Sequence, residues 1–157
     1  MGTRLYLMGI PRLDQEGAPV EWPDDGREPL ALLAYLALIQ QPQRRETLTA
    51  LLWPGEEPGA ANARLDRAVG VLNQILGPEG VVEAGGAAGA LQLGRSVWLD
   101  VTHFWRLLEA CGSHGHALDE ACPRCLPLLS EAMDHYGELM VWGELPENET
   151  FRGWLHY

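Results

Sequence analysis

The sequence contains no lysine, so all 11 of its basic residues are arginines, against 22 acidic residues and a net charge of −11. An acidic chain repels phosphate, which is an unfavourable property for a protein that wraps nucleic acid. Any contact with nucleic acid must therefore come from a local group of arginines. The hydrophobic fraction of 46% and the charged fraction of 21% are those of an ordinary globular protein.

Long apolar runs and an even set of cysteines are also lacking. The longest apolar run, from Leu30 to Ile39, is far short of the ~20 residues that cross a bilayer. The segment from Met1 to Tyr6 has none of the features of a secretory signal. Three cysteines do not make the disulfide framework of a secreted protein. These absences predict a cytoplasmic protein without a membrane partner.

Motifs of known enzymes are missing as well. Ser96, Ser113 and Ser130 lie in no G-x-S-x-G pattern. The glycine-rich stretch at 85–89 lacks the Lys and the Ser or Thr of a phosphate-binding loop. The sequence therefore predicts a protein that is not an enzyme.

The hydrophobic patterns predict a mixed α+β chain. Alternation over 4–13, a turn at 14–17 and a second extended stretch at 18–22 predict an N-terminal β-hairpin. Apolar residues spaced at helical period or on every face, with Pro or Gly at the ends, predict helices. The predicted helices are 28–40, 45–53, 60–76, 102–111 and 127–140, with one more beginning at Phe151. Extended segments at 81–83 and 90–93 predict a second hairpin, and 97–99 a further strand.

Four segments resemble landmarks of one bacterial family, the SARP (antibiotic regulatory protein) regulators. They are Arg4–Gly9, Leu32–Ala37, Leu51–Pro54 and Trp98–Val101. In that family a winged helix-turn-helix of the response-regulator type is followed by a bacterial transcriptional activator domain built from tetratricopeptide-like helical hairpins. The opening of that second domain is similar to three further segments: Ala132–Gly137, Leu145–Pro146 and Phe151–Leu155.

The resemblance implies a fold and a function. The expected fold is a winged helix with an N-terminal β-hairpin and a C-terminal wing over residues 1–100, then an α-helical hairpin over 101–157. The expected function is bacterial transcription regulation. Because the second domain continues for several more helices in that family, and large members carry further modules, the chain resembles part of a longer protein.

The third helix of a winged helix enters the major groove of DNA. Steps of 100° from a buried Leu65 place six residues on its outer face: Ala60, Ala63, Arg67, Gly70, Val71 and Gln74. The family is commonly Arg-rich in this helix, whereas Asn62 and Asp66 stand here among its residues. We therefore expect weak DNA binding through few cations. The candidate residues are Arg44, Arg45, Arg64, Arg67, Gln74 and Arg95.

The same helix face is open to another interpretation. Ala60, Ala63, Gly70 and Val71 make this face smooth and nearly uncharged. Such a surface is suited to close packing against a protein partner or a neighbouring domain of a longer chain. The alternative function is accordingly a degenerate winged helix that serves as an interaction or autoregulatory module.

Cysteine and histidine are concentrated in one loop. The pattern C-x2-H-x-H-x5-C-x2-C comprises Cys111, His114, His116, Cys122 and Cys125. A Cys-x2-Cys pair supplies two ligands for tetrahedral zinc, and Cys111 with one histidine would complete a closed structural site. The spacing matches no standard zinc finger, so two other interpretations stay open: no site at all, or a redox pair at Cys122 and Cys125.

Overall fold

The computed structural model describes residues 2–23, 27–84, 89–94, 97–117, 119–137 and 148–155. These residues form a mixed α+β protein with six helices and two sheets. The strands are β1 (Thr3–Tyr6), β2 (Arg12–Gln15), β3 (Ala18–Pro19), β4 (Gln43–Arg44), β5 (Val81–Glu83), β6 (Ala90–Leu93) and β7 (Trp98–Leu99). The helices are α1 (Arg27–Ile39), α2 (Arg45–Leu52), α3 (Pro58–Leu76), α4 (Asp100–Gly112), α5 (Cys125–His135) and α6 (Glu149–Leu155).

The chain divides into two compact units. The first unit consists of Met1–Pro19 and Trp98–Trp142, and the second of Val20–Val97 and Gly143–Tyr157. Each unit therefore contains two separate stretches of sequence. The domain boundary expected near residue 100 stays a prediction.

The core of the second unit is made by α1, α2 and α3. Nine consecutive residues of α1, 29–37, are buried, which explains why its apolar residues follow no single face. In α3 the buried stripe is Ala61, Leu65, Ala68, Leu72 and Leu76, with helical spacing, and α3 packs on α1 and α2. The predicted continuous helix over 60–76 is confirmed.

The ends of α3 follow from its sequence. Glu57 precedes the helix, and its side chain accepts a hydrogen bond from the Ala60 N–H at 3.1 Å. Pro58 begins the helix, where its missing N–H costs nothing. Gly77 follows it with a φ of 95°, a conformation that side chains other than glycine rarely adopt. These signals fix a 19-residue helix without an interruption.

A small antiparallel sheet accompanies the helices of the second unit. Its order is β4-β6-β5, with Val81 opposite Leu93 and Gln43 opposite Leu91. The β5–β6 hairpin was predicted, whereas β4 was not, because a two-residue strand has no periodicity to detect. Residues 85–88, the centre of the predicted glycine-rich loop, lie outside the described residues.

Helix α6 belongs to the second unit. The Asn148 side chain accepts from the Phe151 N–H at 3.1 Å and donates to the carbonyls of Leu51 and Leu52 at 2.8 and 2.7 Å. It thus caps α6 and satisfies carbonyls at the end of α2 that have no helical partner. Phe151 is buried, and the ring of Trp154 lies 4.7 Å from that of Tyr35. The helix predicted to begin at Phe151 begins two residues earlier, at Glu149.

The first unit contains a four-stranded sheet in the order β3-β2-β1-β7. Neighbouring strands are antiparallel except β1 and β7, which are parallel, with Leu5 opposite Leu99. The expectation of one extended segment over 4–13 is wrong. Gly9 has a φ of 95° and lies in the turn that separates β1 from β2, which are antiparallel neighbours.

Helices α4 and α5 pack against each other in the first unit, where a helical hairpin was predicted. Helix α5 ends at His135, five residues before the predicted end at Met140, because the backbone becomes extended at Tyr136. A Cβ on Gly137 would lie 3.4 Å from the backbone of Met8 and Gly9, so the chain passes close to these residues after α5. The tetratricopeptide-like character of this hairpin stays a prediction.

One buried carboxylate joins the N-terminal strand to α4. Asp100 is 2% exposed and is the single buried charged residue in the described part of the chain. Its oxygens accept hydrogen bonds from the N–H groups of Leu7 at 2.9 and 3.0 Å, Met8 at 3.0 Å and Val101 at 2.8 Å. Two of the segments that resemble the SARP family, Arg4–Gly9 and Trp98–Val101, are therefore in direct contact.

Candidate functional sites

The outer face of α3 is exposed as the helical period predicts. Ala60, Ala63, Arg67, Gly70 and Gln74 are exposed, and Val71 is half-buried. A Cβ built on Gly70 would meet no atom within 4 Å. Within the second unit, this face is free to meet a ligand or a partner.

Arg64, a predicted DNA-binding residue, forms ion pairs with carboxylates of its own chain. It pairs with Glu28 of α1 and, at 2.7 Å, with Glu56, and its guanidinium lies 5.4 Å from the centre of the Trp53 ring. The Trp53 indole N–H donates to the same Glu28 carboxylate at 3.0 Å. Burial alone would lower the pKa of Arg64, but hydrogen bonds and charge from Glu56 and Glu28 outweigh it and raise the pKa. These contacts hold the side chain against the second unit.

Arg45, at the start of α2, is held in the same way. It forms an ion pair with Asp66 and donates to the Asn62 side-chain oxygen at 3.3 Å. Asp66 and Asn62 are residues of α3 that stand where the SARP family often has arginine. They hold Arg45 beside α3, and Asp66 neutralises part of its charge.

The remaining predicted DNA-binding residues differ in their surroundings. Arg44, Arg67 and Gln74 are exposed, and the described residues include no carboxylate paired with either arginine. Arg95 lies outside the described residues. Among the described residues, the predicted cationic surface therefore consists of two exposed arginines, Arg44 and Arg67, and two that already form ion pairs, Arg45 and Arg64.

The cysteine–histidine loop brings four side chains together in the first unit. Cys125 Sγ lies 3.1 Å from His114 Nδ1, 2.9 Å from His116 Nε2 and 3.5 Å from Cys122 Sγ. Cys122 Sγ is also 3.3 Å from His114 Nδ1. All four ligand atoms lie within 4.8 Å of one another, and this cluster is able to hold a metal ion.

Backbone geometry places each of these side chains. The His114 N–H donates to the Cys111 carbonyl at 3.1 Å, so His114 continues the last turn of α4. Gly115 has a φ of 78°, and this left-handed residue turns the chain between the two histidines. The Cys125 N–H donates to the Cys122 carbonyl at 2.9 Å, which closes a tight turn immediately before α5. The cluster is thus fixed by local hydrogen bonds.

The two cysteines of the cluster have opposite pKa shifts. Burial by itself would raise the pKa of Cys122, but hydrogen bonds from the Cys125 thiol and from the backbone N–H groups of Cys125 and Arg124 lower it to about 6. Burial raises the pKa of Cys125 above its ordinary value. The lowered pKa favours the thiolate of Cys122, which is the form that binds metal ions.

Cys111 is a neighbour of the cluster and is not in the group of four. Its Sγ lies 3.9 Å from the Cys125 carbonyl oxygen, and the Cys125 Sγ lies 4.0 Å from the Cys111 carbonyl oxygen. It is buried between α4 and α5. The sequence predicted Cys111 with one histidine, whereas the structure brings both histidines to the two other cysteines.

A second group of ligand-type side chains escaped the sequence analysis. His103 of α4 and Glu131 of α5 are joined by a 2.8 Å contact between Nε2 and Oε1, and His135 lies near both. Glu131 and His135 have the i, i+4 spacing of one helix face, and this spacing is the single local sequence signal for the group. His103 is 28 residues before Glu131, so the pairing of α4 with α5 had to be known first.

No family model matches the sequence, and no curated protein matches it. Among the described residues, no helix has the length and apolar character required to cross a membrane. A solved structure of Mycobacterium tuberculosis EmbR, in complex with a low-affinity phosphopeptide, is similar to this chain with a TM-score of 0.69 and 20% identity. The match covers 98% of this chain and 41% of that chain, so this chain spans about two fifths of the EmbR chain's length. The likeness is one of fold, and it shows that this chain shares the fold of that part of the EmbR chain.

Proposed function

We propose that this chain is the regulatory module of a SARP-type bacterial transcription regulator, and that α3 binds DNA through few cationic contacts. The observation that carries the proposal is the arrangement of the second unit. An exposed α3 follows α2 and precedes the β5–β6 hairpin, and winged helices place the third helix of this arrangement in the major groove. The similarity in fold to EmbR agrees with a regulatory role.

The ion pairs limit how strongly this module can bind. Arg44 and Arg67 are available for phosphate, whereas Arg45 and Arg64 would have to exchange Asp66, Glu28 and Glu56 for it. Two phosphate contacts correspond to a log–log salt slope of about −1.8, and four to about −3.6. Exposed Asp66 adds repulsion on the same helix. Binding is therefore expected to be weak and to require low salt.

The test is fluorescence anisotropy of the full chain with double-stranded DNA over a series of salt concentrations. Arg67→Ala should weaken binding to every sequence and reduce the steepness of the salt slope by about 1, as the loss of a phosphate contact requires. Arg106→Ala is the matched control, because Arg106 is exposed on α4 of the first unit. Equal effects of the two variants, or no binding at low salt, would refute the proposal.

The second candidate is an interaction module, and the ion pairs of Arg45 and Arg64 favour it. They withdraw charge from the side chains that DNA binding needs. A strip of small residues on α3, at Ala60, Ala63 and Gly70, then lies beside the exposed cation Arg67. Such a strip lets another backbone approach closely. If the chain has this function, it should not bind DNA at low salt. It should also co-purify with a protein partner or an adjacent domain. Gly70→Glu should then abolish co-purification.

Gly112→Glu is the matched control for that variant. Gly112 and Gly70 are both helical, and a Cβ at either position would meet nothing within 4 Å. A new carboxylate is thus tolerated by the fold at both positions. Loss of the partner from both variants would contradict a role of the α3 strip.

A further inference from the structure

We propose that His114, His116, Cys122 and Cys125 form a closed, structural zinc site that fixes the loop between α4 and α5. This site lies in the first unit and is independent of the α3 surface. It differs from the sequence-based set, because it uses both histidines and excludes Cys111.

The distances within the cluster are close to those of tetrahedral zinc. For zinc bonded to sulfur at ~2.3 Å and to nitrogen at ~2.0 Å, tetrahedral angles separate two sulfurs by ~3.8 Å and sulfur from nitrogen by ~3.5 Å. The two Sγ atoms are 3.5 Å apart here, and three of the four sulfur–nitrogen distances are 2.9, 3.1 and 3.3 Å. Outward movements of a few tenths of an ångström would admit the ion.

The hydrogen bonding of His116 prepares its other nitrogen for a metal. Nδ1 lies 2.8 Å from the Ala117 carbonyl oxygen, and a carbonyl oxygen accepts only, so Nδ1 carries the ring proton. In the neutral ring Nε2 then has a free lone pair, and Nε2 is the atom that faces Cys125 Sγ. A backbone carbonyl that fixes the tautomer in this way is a common partner of zinc-bound histidine.

Charge balance also favours a divalent ion. Two thiolates and two neutral imidazoles carry a total charge of −2, which one Zn²⁺ neutralises. Sulfur and imidazole nitrogen are the donors that zinc takes in structural sites, where four protein ligands leave no position for water. Cys125 is fully buried and the other three residues are half-buried, so none of the four side chains is fully exposed to solvent.

The test is metal analysis of the untagged full chain, since a histidine tag binds zinc itself. After zinc loading and gel filtration, the wild-type chain should retain about one zinc per chain. Cys122→Ser, Cys125→Ser and His116→Ala should reduce the bound zinc to background. Cys111→Ser should retain it, because Cys111 contacts the cluster without belonging to the group of four.

Two further measurements keep the test decisive if a variant fails to fold. Cobalt added to the wild-type chain should give a sulfur-to-cobalt charge-transfer band and the visible bands of tetrahedral coordination. His103→Ala should leave the bound zinc unchanged, because His103 belongs to the separate group with Glu131 and His135. The proposal would be overturned if the wild-type chain retained no zinc, if the cobalt spectrum lacked the charge-transfer band, or if Cys122 and Cys125 formed a disulfide in place of binding zinc. Loss of zinc from His103→Ala together with retention of zinc by Cys122→Ser would overturn it as well.

Discussion

Replacing Asp100 with alanine should strongly destabilise the first unit. The carboxylate accepts hydrogen bonds from three backbone N–H groups, those of Leu7, Met8 and Val101. Alanine would leave these donors without a partner. Leu7 is 0% exposed, so water cannot replace the carboxylate as the partner of its N–H. Met8 and Val101 are half-buried, so water can bind their N–H groups and restore part of the lost hydrogen-bond energy.

The magnitude follows from those three contacts. An unsatisfied buried donor costs about 1–3 kcal/mol. Taking about 2 kcal/mol for Leu7 and about 0.5 kcal/mol for each half-buried donor gives a total of about 3 kcal/mol. For a chain of 157 residues, that loss lowers the melting temperature by about 6–12 °C. Asp100→Asn should cost less, because the amide oxygen still accepts while its NH2 group faces one of the donors.

The assay is urea unfolding followed by tryptophan fluorescence, with thermal unfolding as a second measurement. Asp134→Ala is the matched control, because Asp134 is exposed on α5 of the same unit. A free energy of unfolding for Asp100→Ala within about 0.5 kcal/mol of the wild type, the range of ordinary surface changes, would refute the reasoning.

Two further predictions concern α3. Gly70→Ala should stabilise the protein by about 0.5–1 kcal/mol, since alanine is the better helix former and its Cβ would meet nothing within 4 Å. Gly94→Ala is the contrasting variant: its Cβ would overlap the Glu79 carbonyl oxygen, so it should destabilise the protein in the same denaturation assay. Hydrogen bonds from the backbone at Gly59 and Ala60 lower the pKa of Glu57 below its ordinary value of 4.5. The ionised Glu57 side chain therefore stabilises the folded protein fully above pH 4.5, and this stabilisation is lost as the pH falls through the lowered pKa. Glu57→Gln should therefore be less stable than the wild type near pH 7, and the difference in melting temperature should shrink on acidification; a difference that stays constant down to acid pH would contradict this assignment.

The helices were predictable from the sequence to the extent that their signals are local. The period of Leu65, Leu72 and Leu76, together with Gly77, predicted the end of α3 to the residue and its start to within two residues, because Pro58 was assigned to the preceding loop. Strand β4 was missed because it exists only through pairing with β6, more than 40 residues later in the chain. The break between β1 and β2 was missed because 4–13 was interpreted as one extended segment, although Gly9 and Pro11 are turn signals within it.

The candidate sites show the same limit. The cysteine–histidine cluster was visible in the sequence because its four members fall within 12 residues. The choice between Cys111 and the second histidine needed the turn at Gly115, which the pattern of ligands does not encode. The neutralisation of Arg64 by Glu28 connects residues 36 apart, so the sequence alone overestimated the cationic surface.

The parallel pairing of β1 with β7 has a consequence for synthesis on the ribosome. Strand β1 is made first, but its neighbour Trp98–Leu99 and the carboxylate that binds Leu7 and Met8 are made more than 90 residues later. Closing so long a loop delays these contacts, whereas α1, α2 and α3 meet over short separations. Helices α1, α2 and α3 are therefore expected to assemble first on the nascent chain, while the N-terminal strand waits with an unpaired edge until α4 emerges.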